Sequence, residues 1–288
     1  MTMIDYDIQN DIEHIVAKLE LTKNVFAMWL NIDYSTMYRW IKNNKITDNN
    51  KLSYIYETAY LNKVRLNSAY TQFFKEDYSK TNEHILFHGS KYGIENKLTI
   101  ESSKPNNDFG KGFYLGESFS QSGTFIQNYK DSSIYIMLFT DNKLKKLKYK
   151  VDKEWMLTIA YFRGYLDEYK DHKIIKDLIK KINDIDYIIA PIADNNMFEI
   201  IEDFVNGNIT DSQCLHALSA TDLGYQYIMK TQKALNNLTP LRKCFLTSYE
   251  RNEFKNISLN RIIESDEKIR IAKQKYNGQG KFINEILK

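Results

Sequence analysis

The sequence has few cysteines and no long apolar run. Cys214 and Cys244 are its only cysteines and do not form a C-x-x-C pair, which argues against a disulfide framework and a cysteine zinc site. No stretch of roughly 18 apolar residues occurs, so no membrane helix is expected. The acidic start MTMIDYDIQN lacks the basic and then apolar pattern of a signal peptide. We therefore expect a soluble, cytoplasmic protein with no membrane partner.

Metal-binding spacing is also missing. The five histidines are scattered, with no H-E-x-x-H or similar pattern; they are His14, His84, His88, His172 and His216. We expect no metal.

The chain has little excess charge. Its formal net charge is +3, and residues 246–288 hold the surplus, with 9 Lys and Arg against 6 Asp and Glu. Residues 1–80 are balanced, with 10 against 10. Nucleic-acid affinity rests largely on neutralisation of phosphate charge, so the balanced charge of residues 1–80 gives little support to tight DNA binding. A local basic patch could still contact phosphates.

A hydrophobic fraction of 43% and a length of 288 residues predict two folded units and a tail. We expect a helical domain at 1–80, a mixed domain at 81–246 and a basic helical tail at 247–288.

Apolar spacing in residues 11–30 predicts two helices, the second capped by Thr22. Ser35 is expected to cap a third helix, as in helix-turn-helix regulators whose last helix enters the major groove. Arg39 and Lys42 are then candidate DNA contacts, and Met37, Trp40 and Ile41 should pack inward. A three-helix bundle for dimerisation or partner docking is the alternative.

Residues 51–80 are expected to continue as one amphipathic helix.

From residue 84, short β-like runs are divided by Gly and Asn; they are HILFHGS, KLTI, GFYL, SIYIMLF and DYIIAPI. Helical patterns lie near Lys153–Leu166, Ile174–Ile182 and Met197–Val205. Strands mixed with helices without regular alternation favour an α+β fold over a doubly wound sheet.

Three motifs follow one another in a distinctive order: LFHGS, then GKGFYLGESFSQSGTF, then YQYIMKTQKALNNLTPLRK. The glycines of Asp108–Tyr114 precede a strand and not a helix, so neither a Rossmann site nor a P-loop is indicated. They predict a tight turn that lets backbone approach a ligand.

This order resembles the catalytic domain of the poly(ADP-ribose) polymerase and diphtheria-toxin side of the ADP-ribosyltransferase superfamily. DFGKGFYL, IIAPIADNNMF and QYIMKTQKAL resemble an uncharacterised bacterial domain family of that type. The likeness spans residues 84–246 and implies a split mixed β-sheet with flanking helices, preceded by the small helix-turn-helix domain.

The resemblance implies NAD as co-substrate and a role for each motif residue. Gly89 backbone and Ser122 would hydrogen-bond the carboxamide, while Tyr114 and Phe125 would sandwich the nicotinamide ring. His88 would bind a hydroxyl of the adenosine ribose, with Ser90 as a supporting contact.

One position departs from the polymerase pattern. Where that pattern has a Glu opening the last strand, this sequence has Gln226, which can keep a hydrogen bond to the ribose but supplies no negative charge. Asp194 and Asp108 are candidates for the missing carboxylate. Asp194 also fits a plain N-cap before the helix MFEIIEDFV.

The sequence therefore predicts a mono-ADP-ribosyltransferase acting on a protein or nucleic-acid acceptor, as a toxin of a toxin–antitoxin or phage-defence system with an antitoxin as partner. The alternative is a DNA-binding regulator with a catalytically weak, NAD-sensing transferase-like domain. NAD hydrolysis, with water as acceptor, is a third reading. Acceptor choice is expected to depend on loops at Lys91–Asn107 and Ile209–Tyr225.

Overall fold

The computed structural model describes residues 4–94, 97–220 and 222–288 and has an α+β fold. The strands of the described part are β1 (Glu83–Ser90), β2 (Phe113–Gly116), β3 (Ser133–Thr140), β4 (Lys146–Lys148), β5 (Tyr187–Pro191), β6 (Tyr225–Met229) and β7 (Leu238–Phe245). Its helices are α1 (Ile8–Lys18), α2 (Lys23–Trp29), α3 (Tyr34–Asn43), α4 (Asn49–Leu61), α5 (Leu66–Asp77), α6 (Phe119–Ile126), α7 (Lys153–Phe162), α8 (Lys173–Asn183), α9 (Asn195–Val205), α10 (Asp211–Leu218), α11 (Gln232–Leu235), α12 (Ser248–Lys275) and α13 (Ile283–Ile286).

The chain divides into two compact units, each built from separate segments. The first unit consists of the residues up to Lys97, Ser118–Thr140 and Leu238–Asn256. The second consists of Leu98–Glu117, Asp141–Asn237 and Ile257–Lys288. No helix in the described part of the chain has the length and apolarity needed to span a bilayer.

The first unit contains three antiparallel strands and the N-terminal helices. Strand β3 pairs with β1 on one side and with β7 on the other, and His88 lies opposite Tyr135. Helices α1 to α5 surround a core in which Ile15, Phe26 and Met37 are fully buried. The Thr22 side chain accepts a hydrogen bond from the Val25 amide, which confirms the predicted N-cap.

Two predictions for the helical region are wrong. Helix α3 begins at Tyr34 with Asp33 in the cap position, so Ser35 is inside the helix and does not cap it. Residues 51–80 form two helices, because the chain turns at Lys63, where φ is +65°. A residue in the left-handed conformation cannot continue a right-handed α-helix. The following Val64 is buried in the core of helices α1 to α5.

Buried polar contacts join the N-terminal helices to β7 and α12 within the first unit. Arg242 on β7 forms an ion pair with Asp11 on α1, and the Tyr56 hydroxyl donates to the other Asp11 oxygen at 2.6 Å. Asn67 donates to the Glu250 carboxylate at 2.9 Å and to the Phe245 carbonyl. The three-domain division with limits at residues 80 and 246 stays a prediction.

The second unit contains a mixed four-stranded arrangement in the order β4-β5-β6-β2. Strands β5 and β6 are antiparallel, as are β2 and β6, whereas β4 and β5 are parallel. Helices α7 to α10 cover an apolar core that includes the fully buried Trp155, Ile188 and Phe204.

Four of the five predicted strands are present, and residues 97–100 are the exception. The Thr99 hydroxyl instead accepts a hydrogen bond from the Glu101 amide at 3.1 Å, which forms a local turn. The predicted helix at Lys153–Leu166 ends at Phe162, ahead of Gly164 with φ of +83°. Helix α12 covers Ser248–Lys275, within the segment expected to be helical.

Removal of one partner of the Asp11–Arg242 pair should strongly destabilise the first unit. Both side chains are at least 95% buried, so Arg242→Met leaves an unpaired carboxylate in the interior. We expect a loss of about 3–5 kcal/mol in the free energy of unfolding. Denaturant titration followed by circular dichroism measures it.

Lys23→Met is the control, because its ion pair with Glu13 lies at the surface. It should cost less than about 1 kcal/mol. Equal losses in the two variants would contradict the structural importance given to the buried pair.

Candidate functional site

The predicted cofactor residues His88, Gly89 and Ser90 form the end of β1 in the first unit, beside helix α6. A Cβ atom on Gly89 would lie 2.8 Å from the Ser122 backbone oxygen and 3.1 Å from Ile126 Cγ2. Such a contact is too short for any side chain. The close packing of β1 on α6 therefore requires glycine at position 89, whatever ligand the site binds.

Both predicted serines have hydrogen-bond partners within the first unit. The Ser122 hydroxyl donates to the Phe87 carbonyl at 2.9 Å, and the Ser90 hydroxyl donates to the Gly93 carbonyl at 2.7 Å. Each hydroxyl oxygen can still accept a hydrogen bond.

Phe125 differs from its neighbours in being open to solvent. Its side chain on α6 is 69% exposed, whereas the next residue, Ile126, is fully buried. The Lys91 ammonium lies 5.7 Å from the Phe125 ring and 4.4 Å from the Tyr129 ring. A large exposed aromatic side chain is free to stack on a ligand.

In the second unit, Tyr114 closes the glycine turn that precedes β2. Its hydroxyl accepts from the Phe109 amide at 3.2 Å and donates to the Gly110 carbonyl at 2.7 Å. Burial, and then the charge of Asp108, raise the pKa of the Tyr114 hydroxyl far above its ordinary value, so it remains a donor. Gly110 has a φ of +70°, which favours glycine at this position.

Lys230 holds the same turn from the end of β6. Its ammonium donates to the Phe109 carbonyl at 2.6 Å and to the Lys111 carbonyl. Burial lowers the pKa of Lys230 to about 8.

Gln226 lies in β6 next to a partly buried ion pair between Arg163 and Asp108. Its amide nitrogen donates to Asp108 Oδ2 at 3.0 Å and to the Pro191 carbonyl at 3.4 Å. Asp108 Oδ1 accepts from Arg163 Nε at 3.1 Å and Nη2 at 2.5 Å. The Arg163 guanidinium also stacks on the Phe198 ring, 3.7 Å from its centroid. Because Gln226 and Asp108 are only 8% and 7% exposed, this is a buried polar cluster.

Asp194 has a structural partner. Its carboxylate accepts from the Met197 amide at 3.0 Å and caps α9. The plain N-cap interpretation is confirmed, and Asp194 is not part of the cluster around Gln226 among the contacts of the described residues.

The two loops expected to select the acceptor differ in structure. The described part of Lys91–Asn107 has neither helix nor strand, whereas the second loop contains α10. Residues 95, 96 and 221 lie outside the described residues. In the described part, no group of three or more His, Cys, Asp and Glu is arranged to hold a metal ion. The expectation of no metal stays a prediction.

The structure thus brings together His88, Gly89, Ser90 and Ser122 in the first unit, and Asp108, Tyr114 and Gln226 in the second.

Sequence reasoning missed Arg163 and Lys230, since no local motif marks an isolated basic residue. It also missed α6 and α10, although both begin with a capping box, Ser118 with Gln121 and Thr210 with Gln213. Strand β6 is not the last strand, because β7 follows Gln226.

The family model described as "Protein of unknown function (DUF3990)" matches residues 84–239, which is more than half of the chain. The chain belongs to this family. The DUF3990 region contains every predicted cofactor and catalytic residue, from His88 to Gln226, together with Arg163 and Lys230. Helices α1 to α5, with Arg39 and Lys42, precede it. No curated protein and no solved structure matches the chain significantly.

Lys230→Met should loosen the glycine turn of the DUF3990 region. The Phe109 and Lys111 carbonyls lose their donor, which should cost about 1 kcal/mol of folding free energy. The lowered pKa of Lys230 adds a pH dependence. Between pH of about 8 and about 10 the unfolded state binds this proton and the folded state does not, so the free energy of unfolding rises with pH in the wild type. The difference between wild type and variant should therefore grow over that interval.

Urea titrations at pH 8, 9 and 10 measure this difference. Lys111→Met is the control, because its ammonium bonds the exposed Glu101 carboxylate. A difference between wild type and Lys230→Met that shrinks as the pH rises would contradict the burial of the lysine.

Proposed function

We propose that the protein is an NAD-dependent mono-ADP-ribosyltransferase that modifies a protein or nucleic-acid acceptor in the cytoplasm. The observation that carries the proposal is the location of the three motifs. His88-Gly89-Ser90 ends β1, Tyr114 lies in β2 and Gln226 lies in β6, in the chain order of the polymerase and toxin resemblance. The α+β fold, with one antiparallel and one mixed group of strands, is consistent with the split sheet of such transferases.

The local chemistry of the first unit suits the carboxamide of NAD. Since the Ser122 hydroxyl proton is directed at the Phe87 carbonyl, Ser122 would accept a hydrogen bond from the carboxamide NH₂. The exposed ring of Phe125 would stack on nicotinamide. His88, half-buried in β1, would bind the adenosine ribose.

The polar cluster of the second unit suits single transfer. Asp194 caps a helix and Asp108 is bonded to Arg163, so neither carboxylate takes the place of a free Glu at Gln226. A neutral amide cannot act as a general base toward an acceptor hydroxyl. The enzyme would therefore transfer one ADP-ribose, slowly or to an acceptor that is already nucleophilic. We propose the role of a toxin in a toxin–antitoxin or phage-defence system, with an antitoxin as partner.

Phe125→Ala tests the proposal without disturbing the fold. Loss of one stacking ring should weaken NAD binding roughly tenfold to hundredfold, while the melting temperature stays unchanged because the side chain is exposed. Calorimetry measures the dissociation constant of NAD, and release of nicotinamide in the presence of cell lysate measures turnover. Gly89 variants are unsuitable, since any side chain at that position clashes with Ser122.

Phe73→Ala is the matched control, because this phenylalanine on α5 is also exposed, at 53%. It should leave NAD binding unchanged. Wild-type protein that fails to bind millimolar NAD contradicts the transferase. Release of free ADP-ribose without any macromolecule would instead identify the protein as an NAD hydrolase.

Helix α3 supports a second candidate function, a DNA-binding regulator with an NAD-sensing transferase-like region. Its buried side consists of Met37, with Trp40 and Ile41 partly buried, and its outer side exposes Tyr38, Arg39 and Lys42. Basic and polar side chains on the outer face of the third helix suit contact with a major groove.

Arg39→Ala and Lys42→Ala should each weaken binding to the promoter of the protein's own operon and reduce the salt dependence, since each removes about one phosphate contact. Gel shifts at several salt concentrations measure both effects. Lys18→Ala, exposed at the end of α1, is the control. A wild-type protein that shifts no fragment at low salt contradicts this candidate.

A further inference from the structure

The amide of Gln226 can adopt only one of its two orientations in the cluster. Its nitrogen has two hydrogens, and both have acceptors, Asp108 Oδ2 at 3.0 Å and the Pro191 carbonyl at 3.4 Å. A carboxylate and a carbonyl accept hydrogen bonds and cannot donate them. Rotation of the amide by 180° would bring the Gln226 oxygen against two acceptors, which is repulsive in a buried site.

Arg163 fixes the orientation of the Asp108 carboxylate. Two guanidinium nitrogens bond Asp108 Oδ1, which leaves Oδ2 for Gln226. The guanidinium is itself held on the Phe198 ring. Charge-assisted contacts of this kind are the strong ones in a poorly solvated environment.

The other end of the amide is available. Among the described residues no group donates a hydrogen bond to Gln226 Oε1. The fully buried polar atoms that lack a partner in the described part of the chain do not include this oxygen, so it is not completely buried. Gln226 therefore offers one acceptor oxygen to a ligand, polarised by the carboxylate behind the nitrogen.

We infer that Asp108 and Arg163 are positioning residues that hold Gln226 as an obligatory hydrogen-bond acceptor for a ribose hydroxyl. This inference rests on the proposed transferase function. Asp108 and Arg163 are the groups that orient the glutamine at position 226 for this contact. Like the carboxylate of a Glu at this position, Gln226 Oε1 can accept a hydrogen bond. The negative charge is then not on residue 226 itself but on Asp108, to which its amide nitrogen is hydrogen-bonded.

Gln226→Glu has an unexpected consequence in this arrangement. It places two carboxylates in hydrogen-bond contact, and their repulsion raises the pKa of one of them. The variant should therefore be less active than the wild type at neutral pH, although it restores the residue of the polymerase pattern. Its activity relative to the wild type should rise as the pH falls, because one protonated carboxyl can then donate to the other.

The test compares four proteins: wild type, Asp108→Asn, Gln226→Glu and the double variant. At pH 8 each single variant should lose roughly tenfold to hundredfold in kcat, because the acceptor oxygen is misplaced. The double variant should recover part of the wild-type kcat, because the amide introduced at position 108 donates to the carboxylate introduced at position 226. Recovery should be incomplete, because that carboxylate still lies against the Pro191 carbonyl. Nicotinamide release measures kcat, and NAD affinity measured by calorimetry should change much less than kcat.

Asp171→Asn is the control, because this exposed carboxylate bonds only Lys176 in the contacts described. It should leave kcat unchanged. The inference is overturned if Asp108→Asn keeps wild-type kcat, if Gln226→Glu alone exceeds the wild type at pH 8, or if the double variant is no better than the worse single variant.

A second measurement separates this result from failure of the proposed function. The side-chain NH₂ resonances of Gln226 in the NMR spectrum should move in Asp108→Asn and stay in place in Asp171→Asn. If the wild type neither binds NAD nor releases nicotinamide, the transferase proposal fails and the ribose assignment fails with it. Unmoved resonances in Asp108→Asn would overturn the amide orientation even if the wild type is active.

Discussion

The carboxylate of Asp108 can only accept hydrogen bonds, and the groups around it are arranged to satisfy that requirement. One oxygen accepts from Arg163 and the other from Gln226, so the end of α7, the start of the glycine turn and strand β6 meet at one buried point. The turn that follows Asp108 is closed by the Tyr114 hydroxyl and by Lys230. The segment before strand β2 is thus held at Asp108, by the Tyr114 hydroxyl and by Lys230.

Most candidate residues also have a local structural partner, which changes how they should be interpreted. Gly89 is required by the packing of β1 on α6, and the Ser122 hydroxyl is bonded to a backbone carbonyl. Neither fact argues for or against a ligand. Phe125 and the Gln226 oxygen are different, because the Phe125 ring is exposed and no hydrogen bond to the Gln226 oxygen is found among the described residues. These two groups therefore give the most direct tests of the transferase proposal.

Sequence reasoning recovered the elements whose signal is local. The alternating and apolar runs predicted four strands, and Thr22 and Asp194 were recognisable as caps because an N-cap depends on three neighbouring residues. It missed β7, in which Pro240, Arg242 and Lys243 interrupt the apolar pattern, although β3 supplies its pairing partner. It extended one helix through Lys63, where a left-handed backbone conformation has no clear mark in the sequence.

The sequence by itself determined the α+β class, the order of the three motifs and the presence of a glutamine at position 226. Only the tertiary structure decided what Gln226 can do, because its partner Asp108 is 118 residues away along the chain and Arg163 is 55 residues from Asp108. In the same way Asp11 pairs with Arg242 across 231 residues. Caps and periodic patterns depend on neighbouring residues, whereas a buried charge finds its partner only when distant segments pack together.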